Sequence, residues 1–229
     1  MKISLSIVGK KFPKLTPKKF PKSTITASVD SAKLAKLLIG FLPKGALTED
    51  KLDSWTDKIG DFMEPVADYL GSNSPWLESH TKAVAAFDLI HKCSNIKLGG
   101  PIYRGVALKK SPKSGTQKFT KITSWSTSYR TALGFSEQFD AELKPFVLVL
   151  NPNNKDIVFS DIVINALKKE SKAVREILKI ELIKRGLTNK SAANIAIDVF
   201  EDNFLAVFGN TEDEVTLRPG SYDVKVDEI

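Results

Sequence analysis

The stretch FTKITSWSTSYRTALGFSEQF, residues 119 to 139, changes hydrophobic period at its middle. FTKITSWSTS alternates as a strand does, whereas Ala132 and Phe135 recur at helical spacing. A strand that feeds a helix places Ser126, Thr127 and Ser128 at the junction. Side chains alternate along a strand, so Ser126 and Ser128 share one face and Thr127 takes the other. Ser128 reads as the helix N-cap, accepting from free amides of the first turn. Ser126 lies one alternation earlier and is less easily explained as a cap, which makes it a candidate binding residue.

Two further stretches flank this junction in the chain. In EDEVTLRPG, residues 212 to 220, an extended backbone projects Glu212 and Glu214 to the same side and Asp213 to the other. Paired carboxylates suit a reaction in which a glycosidic bond breaks through a cationic sugar, one anion stabilising that charge and the other orienting or deprotonating the nucleophile. An isolated Glu-x-Glu is also the composition of a solvated acidic turn. PIYRGVAL, residues 101 to 108, reads as another apolar strand. Arg104 inside it needs an anionic partner, either a structural carboxylate or a phosphate, and Gly105 leaves room for a ligand beside the backbone.

Taken in order, IYRG, SWSTS and EDEV resemble the arginine, Ser-Thr-Ser and Glu-x-Glu signature of mono-ADP-ribosyltransferases. An Ala and a Phe follow the serines, and a Leu and a Pro-Gly follow EDEV, at similar offsets. The motif style resembles the small phage enzymes of the Alt, ModA and ModB type, over roughly residues 96 to 229. The resemblance implies an α+β fold: a split antiparallel β-sheet core with an N-terminal helical layer; the helical insertion read from the residues departs from the compact pattern of the small phage enzymes. It implies NAD as substrate, bound without a Rossmann turn.

The roles implied by the resemblance can be stated residue by residue. Arg104 holds a phosphate of NAD, and Gly105 offers backbone groups to the nicotinamide amide. Ser126 hydrogen-bonds the catalytic glutamate or the nicotinamide ribose, with Ser128 and Phe135 also in the NAD site. Glu214 is the catalytic residue, and Glu212 orients and activates the acceptor. A Glu at that position resembles arginine-modifying members. Phe208 and the GNT turn form the acceptor-recognition loop, although Phe208 also reads as a core aromatic. The implied reaction cleaves NAD at the nicotinamide–ribose bond and moves ADP-ribose to an acceptor, arginine of a host protein ahead of RNA or DNA. Transfer to water and a non-catalytic basic binding module on the same fold are the alternatives.

Composition limits the classes of function. The chain has 229 residues, of which 42% are hydrophobic and 27% charged, the balance of a globular protein. Its single cysteine excludes an internal disulfide and fits a reducing cytosol. MKISLSIVGKK is too short an apolar run for a signal peptide, and no stretch approaches a membrane span. A cytoplasmic site of action is expected, including that of a host cell. Neither GxGxxG nor GxxxxGK[ST] occurs, and His80, His91 and Cys93 lack zinc-site spacing, so no metal is expected.

Charge divides the chain unevenly. Residues 1 to 29 hold seven lysines and no acid, which accounts for the whole formal charge of +7. With Pro13, Pro17 and Pro21 interspersed, residues 1 to 28 are expected to be extended and mobile, aiding solubility or engaging polyanions.

Residues 29 to 95 form a helical subdomain in this reading. A first helix is capped by Ser28 or Asp30 and carries Leu34, Leu37, Leu38 and Phe41 on one stripe. A second runs from about Thr48 to Tyr69, ended or kinked at Pro65, and a third follows Pro75. Residues 96 to 229 form the catalytic core. Its expected strands lie at 102–108, 117–126, 145–150, 155–159, 204–208 and 214–226. They are interrupted by a helical insertion over about 161–203, whose basic face, including Lys168, Lys172 and Arg175, reads as a solvated surface.

Overall fold

The computed structural model describes residue 20 and residues 23–71, 77–137, 142–208 and 214–229. Strand β1 (Thr24–Val29) leads into α1 (Ser31–Ile39), α2 (Glu49–Gly71) and α3 (Leu77–Lys92), and β2 (Ser94–Gly99) follows. Asp30 is the α1 N-cap, its carboxylate accepting from the Lys33 amide at 3.0 Å. The buried stripe Trp55, Ile59, Met63 and Val66 seats α2 against the core at helical spacing. Pro65 stands inside α2, which continues to Gly71. The packing of Met63 and Val66 on either side offsets the lost backbone bond.

β1 and β2 form a two-stranded antiparallel sheet, Thr24 opposite Gly99 and Val29 opposite Ser94. Neither strand was expected. β1 alternates Thr24, Thr26 and Ser28 outward with Ile25, Ala27 and Val29 against the core, a strand signal masked by the neighbouring Lys and Pro residues, while its partner some 70 residues away is invisible to local periodicity. β1 also begins inside the stretch expected to be a mobile tail, whose first 19 residues lie outside the described residues.

The main sheet contains β3 (Ile102–Leu108), β4 (Gly115–Phe119), β5 (Thr123–Ser126), β6 (Lys144–Leu150), β7 (Ile157–Ser160), β8 (Glu214–Leu217) and β9 (Gly220–Glu228). Their spatial order is β4-β9-β6-β3-β5-β8-β7, and every neighbouring pair is antiparallel. The α+β class with an antiparallel sheet therefore stands. The expected strand over 117–126 is two strands, one at the sheet edge and one near its middle. The expected strand over 214–226 is likewise two. Pro219 cannot donate to a ladder, and there the chain leaves the β5–β8–β7 side of the sheet to run between β4 and β6.

Helix α4 (Tyr129–Glu137) follows β5 and packs on β3 and β6. Between β7 and β8 run α5 (Asp161–Lys184), α6 (Asn189–Ile197) and a π-helical segment, Asp198–Leu205. This segment replaces the expected strand at 204–208. Val199, Phe200 and Phe204 are buried at helical spacing, and the Ala206 amide donates to the Glu201 carbonyl, five residues back. α5 buries Val163, Leu167, Val174, Leu178 and Leu182 and packs against α1 and β1. One continuous hydrophobic core thus joins the N-terminal helices, the insertion and the sheet. No helix among the described residues is long and apolar enough to cross a membrane.

Candidate functional site

The three motif strands are consecutive neighbours in the sheet. IYRG lies on β3, SWS on β5 and the EV of EDEV on β8, and these run side by side in that order. Tyr103 stands opposite Ser126, and Ser126 stands opposite Glu214. Residues 88 positions apart are thereby brought to adjacent places on one ladder.

β3 and β5 share that single register pair, whereas β3 pairs with β6 along its whole length. Where the β3–β5 ladder stops, the Arg104 side chain takes over: Nη1 donates to the Ser124 carbonyl at 2.8 Å. A backbone carbonyl is therefore its hydrogen-bond partner here. Burial pulls the guanidinium below its ordinary pKa, against the attraction of Tyr69 and Glu214, which places both groups in its neighbourhood.

Glu214 is half-buried at the first position of β8. Its Oε1 accepts from the Thr216 hydroxyl at 3.1 Å, two residues along on the same face. Its amide donates to the Asp161 carboxylate at 2.6 Å. The first residue of the helical insertion thus anchors the first residue of the glutamate strand. Thr216 is fully buried, so its hydroxyl is costly to leave unpaired.

Ser126 is 5% exposed, and its Oγ accepts from the Ser128 amide at 3.0 Å. Ser128 Oγ accepts in turn from the Thr131 amide at 3.2 Å. Ser128 is thus the N-cap that the sequence suggested, while Ser126 holds the strand-to-helix turn and retains its hydroxyl hydrogen for a further acceptor. Phe135, on α4, is 48% exposed, which leaves its ring free to stack on a planar group.

Gly105 has a different physical cause from the one expected. A Cβ there would run into the Ala132 carbonyl and lie 2.7 Å from the Ser136 amide. The missing side chain lets α4 press onto β3, so that space is occupied by protein and not left to a ligand. Of its two readings, Phe208 takes the core one. It is 4% exposed, stacked on Phe159 at 5.5 Å and edge-on to Phe204 at 5.9 Å, which makes it a core aromatic and takes it away from any acceptor. Glu212 and the GNT turn fall within 209–213 and lie outside the described residues.

Two participants escaped the sequence reading. Asp161 entered only as the start of the helical insertion. Tyr69, near the end of α2, meets Ser124, its hydroxyl 2.8 Å from Ser124 Oγ. Burial first, then the Glu214 carboxylate, push its phenol pKa up, so it is a neutral hydroxyl at physiological pH. A tyrosine at the end of an amphipathic helix carries no sequence signal for such a role. Only the fold brings it to the strands.

Cys93 is buried, its Sγ donating to the Leu89 carbonyl at 3.4 Å, and burial raises its thiol pKa. Among the described residues, no group of three or more His, Cys, Asp or Glu side chains is placed to hold a metal. Comparison of the chain with family models, with curated proteins and with solved structures returns no match.

Proposed function

We propose that the chain is an NAD-dependent mono-ADP-ribosyltransferase whose site is built on β3, β5 and β8. The observation that carries the reading is the register: Ser126 opposite Glu214, with Arg104 on the next strand bonded to the β5 backbone. A guanidinium, a serine hydroxyl and a carboxylate from three distant segments converge on one patch of sheet. That is the set needed to bind a dinucleotide phosphate, position a ribose and stabilise a cationic sugar. The split ADP-ribosyltransferase fold is part of the same proposal, supported by the parting of β3 from β5 beyond one register pair.

In this reading Arg104 attracts the phosphates, and Phe135 offers an exposed ring to a planar base. Glu214 lies against the ribose, where its charge stabilises the oxocarbenium as the C1′–N bond breaks. Nicotinamide leaves with the bonding electron pair and becomes neutral. An acceptor nitrogen then bonds to C1′ and loses a proton, the role proposed for Glu212. The acceptor proposed is a protein arginine.

Incubation with labelled NAD and cell lysate tests this. Discrete labelled protein bands are expected, lost in Glu214→Gln and resistant to nuclease. Undiminished labelling in that variant refutes the assignment. Label removed by nuclease and not by protease moves the acceptor to nucleic acid, and nicotinamide release without any macromolecule identifies water.

A further inference from the structure

We infer that Tyr69 is a positioning residue for Glu214, acting through the hydroxyls of Ser124 and Thr216; this rests on the NAD-cleaving reading above. Two hydrogen bonds and one register pair bring these groups together. The Tyr69 hydroxyl is 2.8 Å from Ser124 Oγ, Ser124 stands opposite Thr216 in the β5–β8 register, and the Thr216 hydroxyl donates to Glu214 Oε1 at 3.1 Å. Each hydroxyl has one hydrogen to give. Thr216 spends its hydrogen on the carboxylate, so its oxygen is free to accept, and Tyr69 is close enough to donate to it. The path therefore runs from the phenol to the carboxylate, each bond polarising the next.

A glutamate carboxylate otherwise turns about its last torsion. The Thr216 bond removes that freedom, and the α2 helix braces Thr216 and Ser124 from outside the sheet. Ser124 couples both charged groups, because its carbonyl also receives Arg104 Nη1 at 2.8 Å. The placement of Tyr69 further requires that α2 continue past Pro65, which it does.

The competing explanation is a tether that merely fastens α2 to the sheet. Tyr69 packs edge-on to Phe87 at 5.8 Å, so Tyr69→Phe keeps the ring contact and deletes the hydroxyl alone. The full chain, Tyr69→Phe, Thr216→Val and the double variant would be compared for steady-state nicotinamide release and for thermal unfolding. The expected result is a fall in kcat of about ten- to a hundredfold with KM for NAD within about twofold, the loss typical of a mispositioned catalytic group. The unfolding midpoint of Tyr69→Phe falls only by the amount of one lost hydrogen bond, so the variant is fully folded at the assay temperature, and the double variant is no slower than the slower single one. Should Thr216→Val unfold, Thr216→Ser, which keeps the hydroxyl, restores both stability and rate.

A Tyr69→Phe enzyme with wild-type kcat, while Glu214→Gln is inactive, overturns the positioning role and leaves the NAD reading intact. A rate loss that only follows a lowered unfolding midpoint does the same. A wild-type chain that neither binds nor cleaves NAD overturns both.

Discussion

The carbonyl oxygen of Ala132 occupies the space that a Cβ on Gly105 would need. Helix α4 is thereby seated directly on the backbone of β3, one residue beyond Arg104. Backbone cannot give way as a flexible side chain can, so Gly105→Ala is expected to cost about 3 kcal/mol. Gly60, inside α2, has nothing within 4 Å of the place an added methyl would take, and Gly60→Ala should instead gain about 0.5–1 kcal/mol. Denaturant titration of the two variants checks the opposite signs.

Two phenylalanines that the motif pattern places in one site should separate cleanly. Phe208→Ala removes a ring stacked on Phe159 and edge-on to Phe204 and is expected to destabilise by about 3–5 kcal/mol. Phe135→Ala removes an exposed ring and should change stability by less than about 0.5 kcal/mol. In the proposed enzyme the second substitution raises KM for NAD. Unfolding curves and NAD kinetics on both proteins distinguish core from site.

The two serines of the Ser-Thr-Ser stretch should differ in kind. Ser128→Ala loses an N-cap and is expected to cost about 1 kcal/mol. In the proposed enzyme its kcat remains close to that of the wild type. Ser126→Ala disturbs the turn that presents the β5–β8 pair, so the rate should fall by more than its stability loss explains. Parallel measurement of unfolding free energy and kcat provides the comparison.

His91 supplies an acid-sensitive term. Its Nδ1 is buried without a hydrogen-bond partner among the described residues. Burial first, then the Arg218 charge, lower its pKa, against the opposing pull of Asp88. The unfolded chain takes up this proton near the ordinary value of about 6.5, before the folded chain does. The stability is therefore whole above that pH and declines as pH falls below it toward the lower folded value. His91→Gln should flatten this part of the profile, measured as unfolding free energy between about pH 7 and pH 5.

The helical part of the fold was readable because its signals are local. Asp30 before an apolar stripe, Leu34 and Leu38 one turn apart, and Leu167, Val174 and Leu178 along α5 each announce a helix within a few residues. The strands were readable as apolar runs at β3, β6 and β7 and as alternation over 117–126, but not where 117–126 and 214–226 each break into two. FLAVF, residues 204 to 208, shows the limit: it fits a strand by composition, yet the burial of Phe200 and Phe204 on one helical face made most of it π-helical or turn.

By itself, the sequence determined the IYRG, SWSTS and EDEV stretches, their order and the period change at Ser126–Ser128, because these depend on residue type and near neighbours. It also specified the cap at Ser128, a local hydrogen bond. Strand order, and with it the pairing of Ser126 with Glu214, was decided by the tertiary structure. Register is chosen by burying whole faces across segments far apart in the chain. The same long-range packing brought Tyr69 to Ser124, turned Phe208 inward and made Gly105 a seat for α4, none of which a residue's immediate neighbours could specify.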